Sequence, residues 1–423
     1  MINKTWKRRI IVDYDNNPDH PASSLIVDDV VVYHILSRLS VKSLMRLKCV
    51  CKRWKLTIEQ DPHSINLHLT HSETRPGLFV LLAKSAAGGA SDYESYILAV
   101  LRITGRAANL HTISKTKLLF REILGPIAGL VCFVDNCAVR IYNVSTMEST
   151  PWIKSTVCMN MEKDNGIIEE PRCYFGFDPT TKKHKALFVW GRGKFQDSPV
   201  CEVLTVGDNT WRIIVEVLPY NIIGNITQYA NGSIYWLIQM FFSGEDVEKY
   251  AKWIVAFDFG SEKFRVIPAP KFTVEYPDGK EHEFEFPIFS EVDGCLAVIC
   301  QDRRLVKMCI FHDHNKENGT SSSSEKDWTQ VTITLPSNKP EDWWFIRFHS
   351  IAGIGQIILE TYTAPGQNGF HRNANLAKFY FYDRIQKAFR KFEVNGISCF
   401  SAYCRIECIA TFVESLLPVQ KKL

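Results

Sequence analysis

The first ordered signal in the chain is a short stretch in which apolar residues recur every three or four positions. The apolar side chains between positions 30 and 39 are those of Val31, Val32, Ile35, Leu36 and Leu39. That spacing places them on one face of a helix. Asp28 and Asp29 stand at its start, where carboxylates favour the free N–H groups and the positive end of the helix dipole. The pattern predicts an amphipathic helix.

Two further short helices are predicted directly behind the first. Ser40 and Val41 open the second, and its inward-facing residues are Leu44, Met45 and Leu47. The third runs from about Cys49 to Ile58 and ends before Asp61-Pro62. Residues 22–66 are therefore predicted to form a helical module, behind a flexible polar lead at 1–21. Three short helices make a very small core, so such a module is expected to pack against something larger.

After residue 70 the pattern changes to short runs rich in Val, Ile, Phe, Tyr and Trp, separated by Gly, Pro, Asn and Asp. The runs are Gly77–Ala83, Ile127–Val134, Val139–Val144, Lys185–Trp190, Gly232–Ile238, Trp253–Phe259, Gly294–Cys300 and Lys378–Tyr382. No amphipathic helix of 12 or more residues is predicted after position 70. Residues 70–415 are predicted to be one large antiparallel β domain, in which the serine-rich segment 312–326 is a disordered loop.

The two predicted domains meet between Asp61-Pro62 and Gly77. A fragment of residues 70–423 is expected to fold by itself, because a cut in this interval should break few core contacts. Ile65, Leu67 and Leu69 alternate with polar residues and are a second candidate for the first β-strand. In that case the cut has to move to a position before Pro62.

A hairpin signal recurs three times in the β domain. Thr205-x5-Trp211-Arg212, Asp258-x5-Phe264-Arg265 and Asp383-x5-Phe389-Arg390 share one plan. A Thr or Asp side chain can fold onto nearby backbone to open a turn, and the aromatic ring then packs across the returning strand. The first interval is 53 residues, close to the roughly 50 of kelch-type blades, and the second is 125. A β-propeller is predicted because radial repetition protects strand edges.

Composition narrows the class of protein. The 423 residues are 46% hydrophobic and 23% charged with a net charge of +4, which is typical of a globular chain and too balanced for nucleic-acid binding by bulk charge. Only Ile10-Ile11-Val12 follow the basic start, too few for a signal-peptide core. The thirteen cysteines include no Cys-x-x-Cys pair, which favours reduced thiols. The chain is expected to be soluble, with no membrane contact, in the cytoplasm, the nucleus or both.

The helical module is basic. Between Val30 and Ile58 it has no acidic residue, and its cations are Arg38, Lys42, Arg46, Lys48, Lys52, Arg53 and Lys55. A solvated basic face and a docking face both explain this pattern. A nucleic-acid-binding helix-turn-helix is a further alternative, although its recognition helix needs base-reading side chains beyond basic ones.

Signals for chemistry are weak. The chain has no Gly-x-Ser-x-Gly, Walker, His-Glu-x-x-His or dinucleotide-binding motif. Glu281, Glu283 and Glu285 alternate as an exposed strand face does, and His312-Asp313-His314 is a candidate metal-binding group beside the serine-rich loop. No catalytic residue, metal site or cofactor is predicted. The candidate recognition elements are instead the loops Ala86–Glu94 and Thr363–Asn375 and the aromatic cluster Trp343-Trp344-Phe345.

Residues 35–54 read Ile-Leu-Ser-Arg-Leu-Ser-Val-Lys-Ser-Leu-Met-Arg-Leu-Lys-Cys-Val-Cys-Lys-Arg-Trp. This segment resembles the F-box of plant F-box proteins, whose pattern runs Ile-Leu-x-Arg-Leu-Pro-Val-Lys-Ser-Leu-x-Arg-Phe-Lys-x-Val-x-Lys-x-Trp. Ser40 replaces the usual proline, and the family's opening Leu-Pro is not present in that form near Leu25. The resemblance implies docking of the Skp-type adaptor of a cullin ligase. By position, the adaptor-binding candidates are Ile35, Leu36, Leu39, Val41, Leu44 and Val50.

The β domain resembles the F-box-associated domain that follows plant F-boxes. The blocks that carry this resemblance are Gly129–Cys132, Tyr174–Pro179, Asn209–Arg212, Asn231–Trp236 and Phe257-Asp258, with Ile141–Val144 in place of the usual Trp-Asn-Pro. The two resemblances imply a non-catalytic substrate receptor of a Skp/cullin/F-box ubiquitin ligase, which recruits a target protein through its β domain. The alternatives are a β-propeller enzyme and a nucleic-acid-binding protein with a basic helical appendage.

Overall fold

A computed structural model describes most of the chain. It covers residues 30–75, 77–85, 93–104, 107–116, 120–163, 170–191, 199–208, 210–215, 227–242, 249–270, 273–275, 281–283, 287–302, 305–313, 327–336, 345–351, 356–362, 377–395 and 404–420. The predicted lead at 1–21, the capping residues Asp28 and Asp29 and the serine-rich segment from His314 onwards lie outside these ranges.

The helical module begins with an irregular turn instead of the regular helix that its periodicity predicts. Val30–Ile35 is a π-helical turn, and Leu36–Arg38 is a 3-10 turn. Three successive β-branched valines at its start restrict the side-chain rotamers that an α-helix allows. The second and third predictions are confirmed as α1 (Val41–Leu47) and α2 (Lys52–Gln60). Ser40 caps α1, because its Oγ accepts a hydrogen bond from the Ser43 N–H at 3.4 Å.

A further helix, α3 (Pro62–Glu73), extends the helical module as far as the β domain. The alternative that Ile65, Leu67 and Leu69 form a strand is therefore wrong. Pro62 starts α3 at a position where the missing N–H has no cost, and Asp61 Oδ1 accepts the His63 N–H at 3.0 Å. The buried face of α3 follows helical spacing and includes three polar residues. Its members are Ser64, Ile65, His68, Leu69 and Ser72.

The β domain is a six-bladed propeller of antiparallel sheets, and the predicted all-β fold is confirmed. Blade 1 contains β1 (Gly77–Ser85), β2 (Tyr93–Thr104), β3 (Ala107–Thr116) and β26 (Cys404–Phe412). Blade 2 contains β4 (Glu122–Ile127), β5 (Leu130–Asp135), β6 (Ala138–Asn143) and β7 (Ile153–Lys154). Blade 3 contains β8 (Arg172–Asp178), β9 (Lys183–Trp190), β10 (Val200–Thr205) and β11 (Arg212–Ile214), and helix α4 (Thr156–Lys163) precedes it.

The remaining blades follow the same plan. Blade 4 contains β12 (Thr227–Ala230), β13 (Ser233–Phe242), β14 (Lys249–Asp258) and β15 (Lys263–Pro268). The hairpin of β16 (Thr273–Glu275) and β17 (Glu281–Glu283) precedes blade 5, which contains β18 (Ile288–Val292), β19 (Cys295–Asp302), β20 (Leu305–Phe311) and β21 (Trp328–Thr334). Blade 6 contains β22 (Phe345–Ile351), β23 (Gln356–Tyr362), β24 (Ala377–Asp383) and β25 (Ala388–Asn395).

The ring closes through strands from both ends of the β domain. The last strand, β26, pairs with β1, so that blade 1 combines N-terminal and C-terminal segments. At the outer edge, β25 also pairs in parallel with β3, and Asn395 Nδ2 donates to Asn109 Oδ1 at 3.1 Å. A separate cluster of buried apolar side chains fills each of the six gaps between neighbouring blades. Pairing of β26 with β1 therefore joins the two ends of the β domain, and radial packing of the blades leaves only short, protected strand edges.

The recurring hairpin signal marks the turn between the third and fourth strands of a blade. Asp258 Oδ1 accepts the Ser261 N–H at 2.7 Å, and the rings of Phe257 and Phe264 pack across the strands at 4.9 Å. Blade 6 repeats this arrangement with Asp383 and a Tyr382–Phe389 distance of 4.7 Å. In blade 3 the Thr205 carbonyl closes the turn, and Trp211 stacks on Phe188 at 4.4 Å.

The uneven interval of 125 residues has a simple cause. It spans two blades, because blade 5 lies between Asp258 and Asp383. The corresponding ring pair in blade 5 is Phe311 and Trp328, whose centroids are 5.0 Å apart. These two residues are joined through 312–327, whereas the other two hairpins use the short turns 259–262 and 384–387. The predicted loop is thus an insertion into one of the repeated turns.

The helical module and the propeller share one hydrophobic core. A single cluster runs from the helices through the C-terminal tail (residues 413–420) into the gap between blades 2 and 3. Its helical members are Val32, Leu36, Val41, Leu44, Ile58, Ile65 and Leu69, and its tail members are Leu416, Leu417 and Val419. This continuity argues against the expectation that residues 70–423 fold independently, because a cut there removes part of a common core.

Candidate functional site

The two faces of the propeller differ in their connections. We call the face that receives the helical module and the C-terminal tail the proximal face, and the opposite one the distal face. Short turns such as 128–129, 231–232 and 293–294 lie on the proximal face. The strand ends that are joined by the longer connections 155–171, 269–287 and 363–376 lie on the distal face, whereas those joined by 312–327 lie on the proximal face.

The predicted recognition elements belong to the distal face by topology. The loop Ala86–Glu94 joins β1 to β2, and Thr363–Asn375 joins β23 to β24. Trp343 and Trp344 precede β22, which begins at Phe345. Most of these residues lie outside the described ranges, and the strand ends that flank them lie on the distal face.

The C-terminal tail and blade 1 hold the helical module on the proximal face through polar contacts. A further polar contact joins two of the module's own elements. Glu414 in the tail accepts the Val41 N–H at 3.0 Å through Oε2, and its other oxygen accepts from Arg102 of β2 at 2.5 Å. The side chain of His68 lies 3.1 Å from the Leu39 carbonyl. Burial lowers the pKa of His68, which keeps its imidazole neutral near pH 7. The module is therefore anchored through the tail, blade 1 and its own helices.

The six predicted adaptor-binding residues divide between the core and the surface. Leu36, Val41 and Leu44 are 3%, 1% and 1% exposed and belong to the shared core. Leu39 is half-buried and packs against the same core. Ile35 and Val50 are exposed, at 50% and 37%. Of the six, only these last two are exposed to a partner in this conformation.

Two further exposed apolar residues of the module were missed by the sequence interpretation. They are Leu56 in α2, which is 52% exposed, and Val30, at 47%. Leu56 does not fit the every-fourth repeat of Val50, Trp54 and Ile58, and that departure from the inward face is the signal that was available. Trp54 is half-buried and packs against the shared core.

The surface of the module is strongly positive. Residues 30–75 contain eight Lys and Arg against three Asp and Glu, although the whole chain carries only +4. Lys48 pairs with Glu59 at 2.6 Å, while the side chains of Arg38, Lys42, Arg46, Lys52, Arg53 and Lys55 are exposed. The exposed apolar residues therefore lie in a basic surround, which suits a partner with an acidic rim.

A cleft of about 500 Å³ opens on the distal face of blade 2. It lies between the β5–β6 turn, β7 and α4, and its lining residues include Asp135, Trp152, Lys154, Glu162 and Glu170. Cys137 and Cys158 also line it. No motif in the sequence indicated this cleft, because its walls come from segments that only the blade fold brings together.

The thiols in the cleft are suited to packing, not to nucleophilic chemistry. Burial and a hydrogen bond with Cys158 raise the pKa of Cys137 to about 12. Outside the cleft, burial also raises the pKa of Cys201 to about 12. A rise from 9 to 12 lowers the thiolate fraction at neutral pH by about a thousandfold. Eleven cysteines in the described part of the chain are free thiols.

This burial predicts a graded reaction with a maleimide reagent. In native protein at pH 7.5, Cys49 and Cys51 are expected to react first because both are exposed. Cys137 and Cys201 should react only after denaturation, when labelling reaches all thirteen cysteines. Peptide mapping by mass spectrometry measures the order. Rapid native labelling of Cys137, or fewer than thirteen reactive thiols in protein kept from oxidants, would contradict the prediction.

The weaker chemical candidates do not come together as a site. Asp313 pairs with Arg265, with one contact at 2.9 Å, and His312 lies 4.0 Å from the Cys295 sulfur. His314 and Glu285 lie outside the described ranges, and Glu281–Glu283 forms β17. Within the described part of the chain, no group of three or more His, Cys, Asp and Glu side chains is placed to hold a metal ion. None of the helices in those ranges has the length and apolarity needed to cross a bilayer.

The helical module on a closed six-bladed ring defines a class of protein in which an N-terminal helical element precedes a propeller. Residues 98–416 match the family described as F-box associated beta propeller domain, and residues 25–64 match the F-box domain. The chain belongs to the family of F-box proteins with an F-box-associated β-propeller. The resemblance drawn from the sequence is thereby confirmed.

Relatives from Arabidopsis thaliana support this assignment. The chain is 25% identical over 421 residues to Putative F-box protein At1g47765, covering 93% of this chain and 91% of the relative. It is 28% identical to F-box protein At1g11270 over 269 residues, covering 59% and 78% of the two chains. Among solved structures, the β-propeller domain of the Trilobed protease from Pyrococcus furiosus aligns with a TM-score of 0.37 and 9% identity, over 75% of this chain and 96% of that one.

Proposed function

We propose that the chain is a non-catalytic substrate receptor of a Skp/cullin/F-box ubiquitin ligase. The helical module docks a Skp-type adaptor, which connects the chain to a cullin, and the distal face of the propeller holds a target protein. The receptor raises the effective concentration of the target near the ubiquitin-charged enzyme and does no chemistry itself. Its place of action is the cytoplasm, the nucleus or both.

The observation that carries this proposal is the opposition of two surfaces on one rigid body. The helical module is fixed to the proximal face through the shared core and through Glu414. The cleft of blade 2 and the strand ends that are joined by 155–171, 269–287 and 363–376 belong to the distal face. Because the propeller separates the two surfaces, a bound target does not compete with the adaptor for space, and the ring holds it at a fixed distance from the ligase.

The surface of the module supports the adaptor end of the proposal. Ile35, Val50 and Leu56 expose apolar side chains that ordinary folding of this chain leaves uncovered. Exposed apolar residues inside a charged rim are typical of protein interfaces. Ile35, Val50 and Leu56 all lie within residues 25–64, which match the F-box domain, and this supports a docking role for them.

The test is reconstitution with the full-length chain. Purified protein is mixed with a plant Skp-type adaptor and then with cullin, and the mixture is analysed by size-exclusion chromatography with light scattering. We expect a complex with one copy of each component. Absence of any complex with the adaptor would refute the receptor function. A salt-dependent shift of random duplex DNA by the same protein, without adaptor binding, would favour the nucleic-acid alternative.

A further inference from the structure

The cleft of blade 2 carries a net negative charge around an apolar floor. Three carboxylates and one ammonium group line it, from Asp135, Glu162, Glu170 and Lys154. Trp152 and Ala138 provide the apolar surface, together with the side chains of Cys137 and Cys158. The floor is thus neutral, and the charge is confined to the rim.

The charges on the rim are not equally available. Glu170 pairs with Arg121 outside the cleft, and Lys154 bonds both oxygens of Glu162 at 2.6 and 2.5 Å. Lys154 and Glu162 are both more than two-fifths exposed, so their pairing is weak and open to exchange. Asp135 is half-buried and has no hydrogen-bond or ion-pair partner among the described residues. Among the described residues, therefore, one carboxylate in the cleft has no partner, and a second has a partner that exchanges readily.

Hydrogen bonds fix the wall of the cleft that helix α4 forms. The hydroxyl of Ser155, directly before helix α4, donates a hydrogen bond to the carboxylate of Glu202. Glu202 is a fully buried residue of β10, and its carboxylate also accepts from the Trp190 indole at 3.0 Å. The Ser155 N–H donates in turn to the Cys137 carbonyl at 2.8 Å, which ties α4 to the β5–β6 turn. Because both walls are fixed before any ligand arrives, binding costs little ordering of the receptor.

We propose that this cleft binds a basic segment of the target protein and seats a lysine or arginine side chain, with its aliphatic stem on Trp152 and its cationic head beside Asp135 and Glu162. The inference rests on the proposed receptor function and names the class of target segment that the distal face takes. A long cationic side chain suits both the apolar floor and the anionic rim. The volume of about 500 Å³ accommodates that side chain and its immediate neighbours in the segment.

The test measures peptide binding to the full-length chain by fluorescence polarisation. The probe is a fluorescein-labelled octapeptide with one arginine and one lysine in a Gly/Ser frame, and the comparison peptides carry two glutamates or two norleucines instead. We expect the basic peptide to bind at least about tenfold more tightly than either, and its affinity to fall with added salt. The double variant Asp135→Asn/Glu162→Gln, which keeps side-chain shape, should lose about tenfold in affinity for the basic peptide.

Glu393→Gln is the matched control, because Glu393 is an exposed carboxylate on β25 of blade 6. It should bind the basic peptide as the unmodified chain does. Equal affinity for the three peptides, no binding of the basic peptide, or full binding by the double variant would overturn the inference. Adaptor binding by the same preparations separates the two claims. If it persists while the peptide result fails, the receptor function stands and only the cleft assignment falls.

Discussion

The double variant Ile35→Asp/Leu56→Asp is expected to lose binding of a Skp-type adaptor by at least about a hundredfold while its melting temperature stays within a few degrees of the original. Both side chains are about half exposed, so aspartate at either position meets water in the free protein. In the complex each carboxylate would be buried without a partner, at several kcal/mol. Surface plasmon resonance with immobilised adaptor gives the affinity, and differential scanning calorimetry gives the melting temperature.

Ile213→Asp is the control for this prediction. Ile213 lies on β11 of blade 3 and is 56% exposed, which matches Ile35 and Leu56 in chemistry and accessibility. It should leave the adaptor affinity unchanged. Adaptor binding by the double variant at the original strength would show that the docking surface lies elsewhere on the module.

Leu44 gives a contrasting result that separates docking from folding. A charge at this position was expected from the sequence to block the adaptor directly. The structure places Leu44 in the shared core with 1% of its surface exposed. Leu44→Glu should therefore lower the melting temperature and adaptor binding together, because the charge is buried within the chain itself. The same reasoning applies to Leu36 and Val41.

The propeller was predictable because its signals are local. Strand runs bounded by Gly, Asn and Asp turns, and the Asp-to-aromatic hairpins, depend on residues close in the chain. The interval of 125 residues obscured the repeat only because blade 5 carries the insertion 312–327. Blade number needs the pairing of β26 with β1, which joins residues more than 300 positions apart and leaves no local pattern.

Helix α3 was missed for a different physical reason. Its buried face alternates apolar Ile65 and Leu69 with polar Ser64, His68 and Ser72, so a count of apolar residues shows no helical period. The buried His68 is accommodated by its contact with the Leu39 carbonyl, which belongs to another element. The residue pattern alone therefore favoured a β-strand with alternating apolar and polar side chains, whereas contacts with other elements stabilise the helix.

The distal cleft was beyond sequence interpretation for a related reason. Asp135, Trp152 and Glu162 come from the end of β5, a loop and a helix, whose relative positions depend on Glu202 of the next blade. In the sequence, nothing distinguishes the buried Glu202 from a glutamate on the exposed face of a strand. Docking residues were partly predictable, since helical periodicity identifies apolar positions without stating which of them a neighbouring propeller covers.

The shared core leads to a prediction that opposes the one drawn from the sequence. A fragment of residues 77–423 is expected to be insoluble, or to melt at least about 10 °C below the full-length chain. It lacks seven buried apolar side chains of the helical module and leaves Leu416 and Leu417 of the tail uncovered. The fragment loses the cover over these two leucines, at about 1.5–3 kcal/mol for each side chain that becomes exposed, which is a large fraction of the net stability of a domain.

The matched control is a fragment of residues 25–423, which keeps the complete F-box match and should melt with the full-length chain. Calorimetry of the three proteins at equal concentration gives the comparison, and binding of a hydrophobic dye reports uncovered apolar surface. Because the module and the propeller share one cluster, the full-length chain should unfold in a single transition. Equal melting temperatures for 77–423 and the full-length chain would show that the helices only rest on the ring. The module would then be free to move relative to a bound target, whereas a shared core holds the target at one distance from the adaptor.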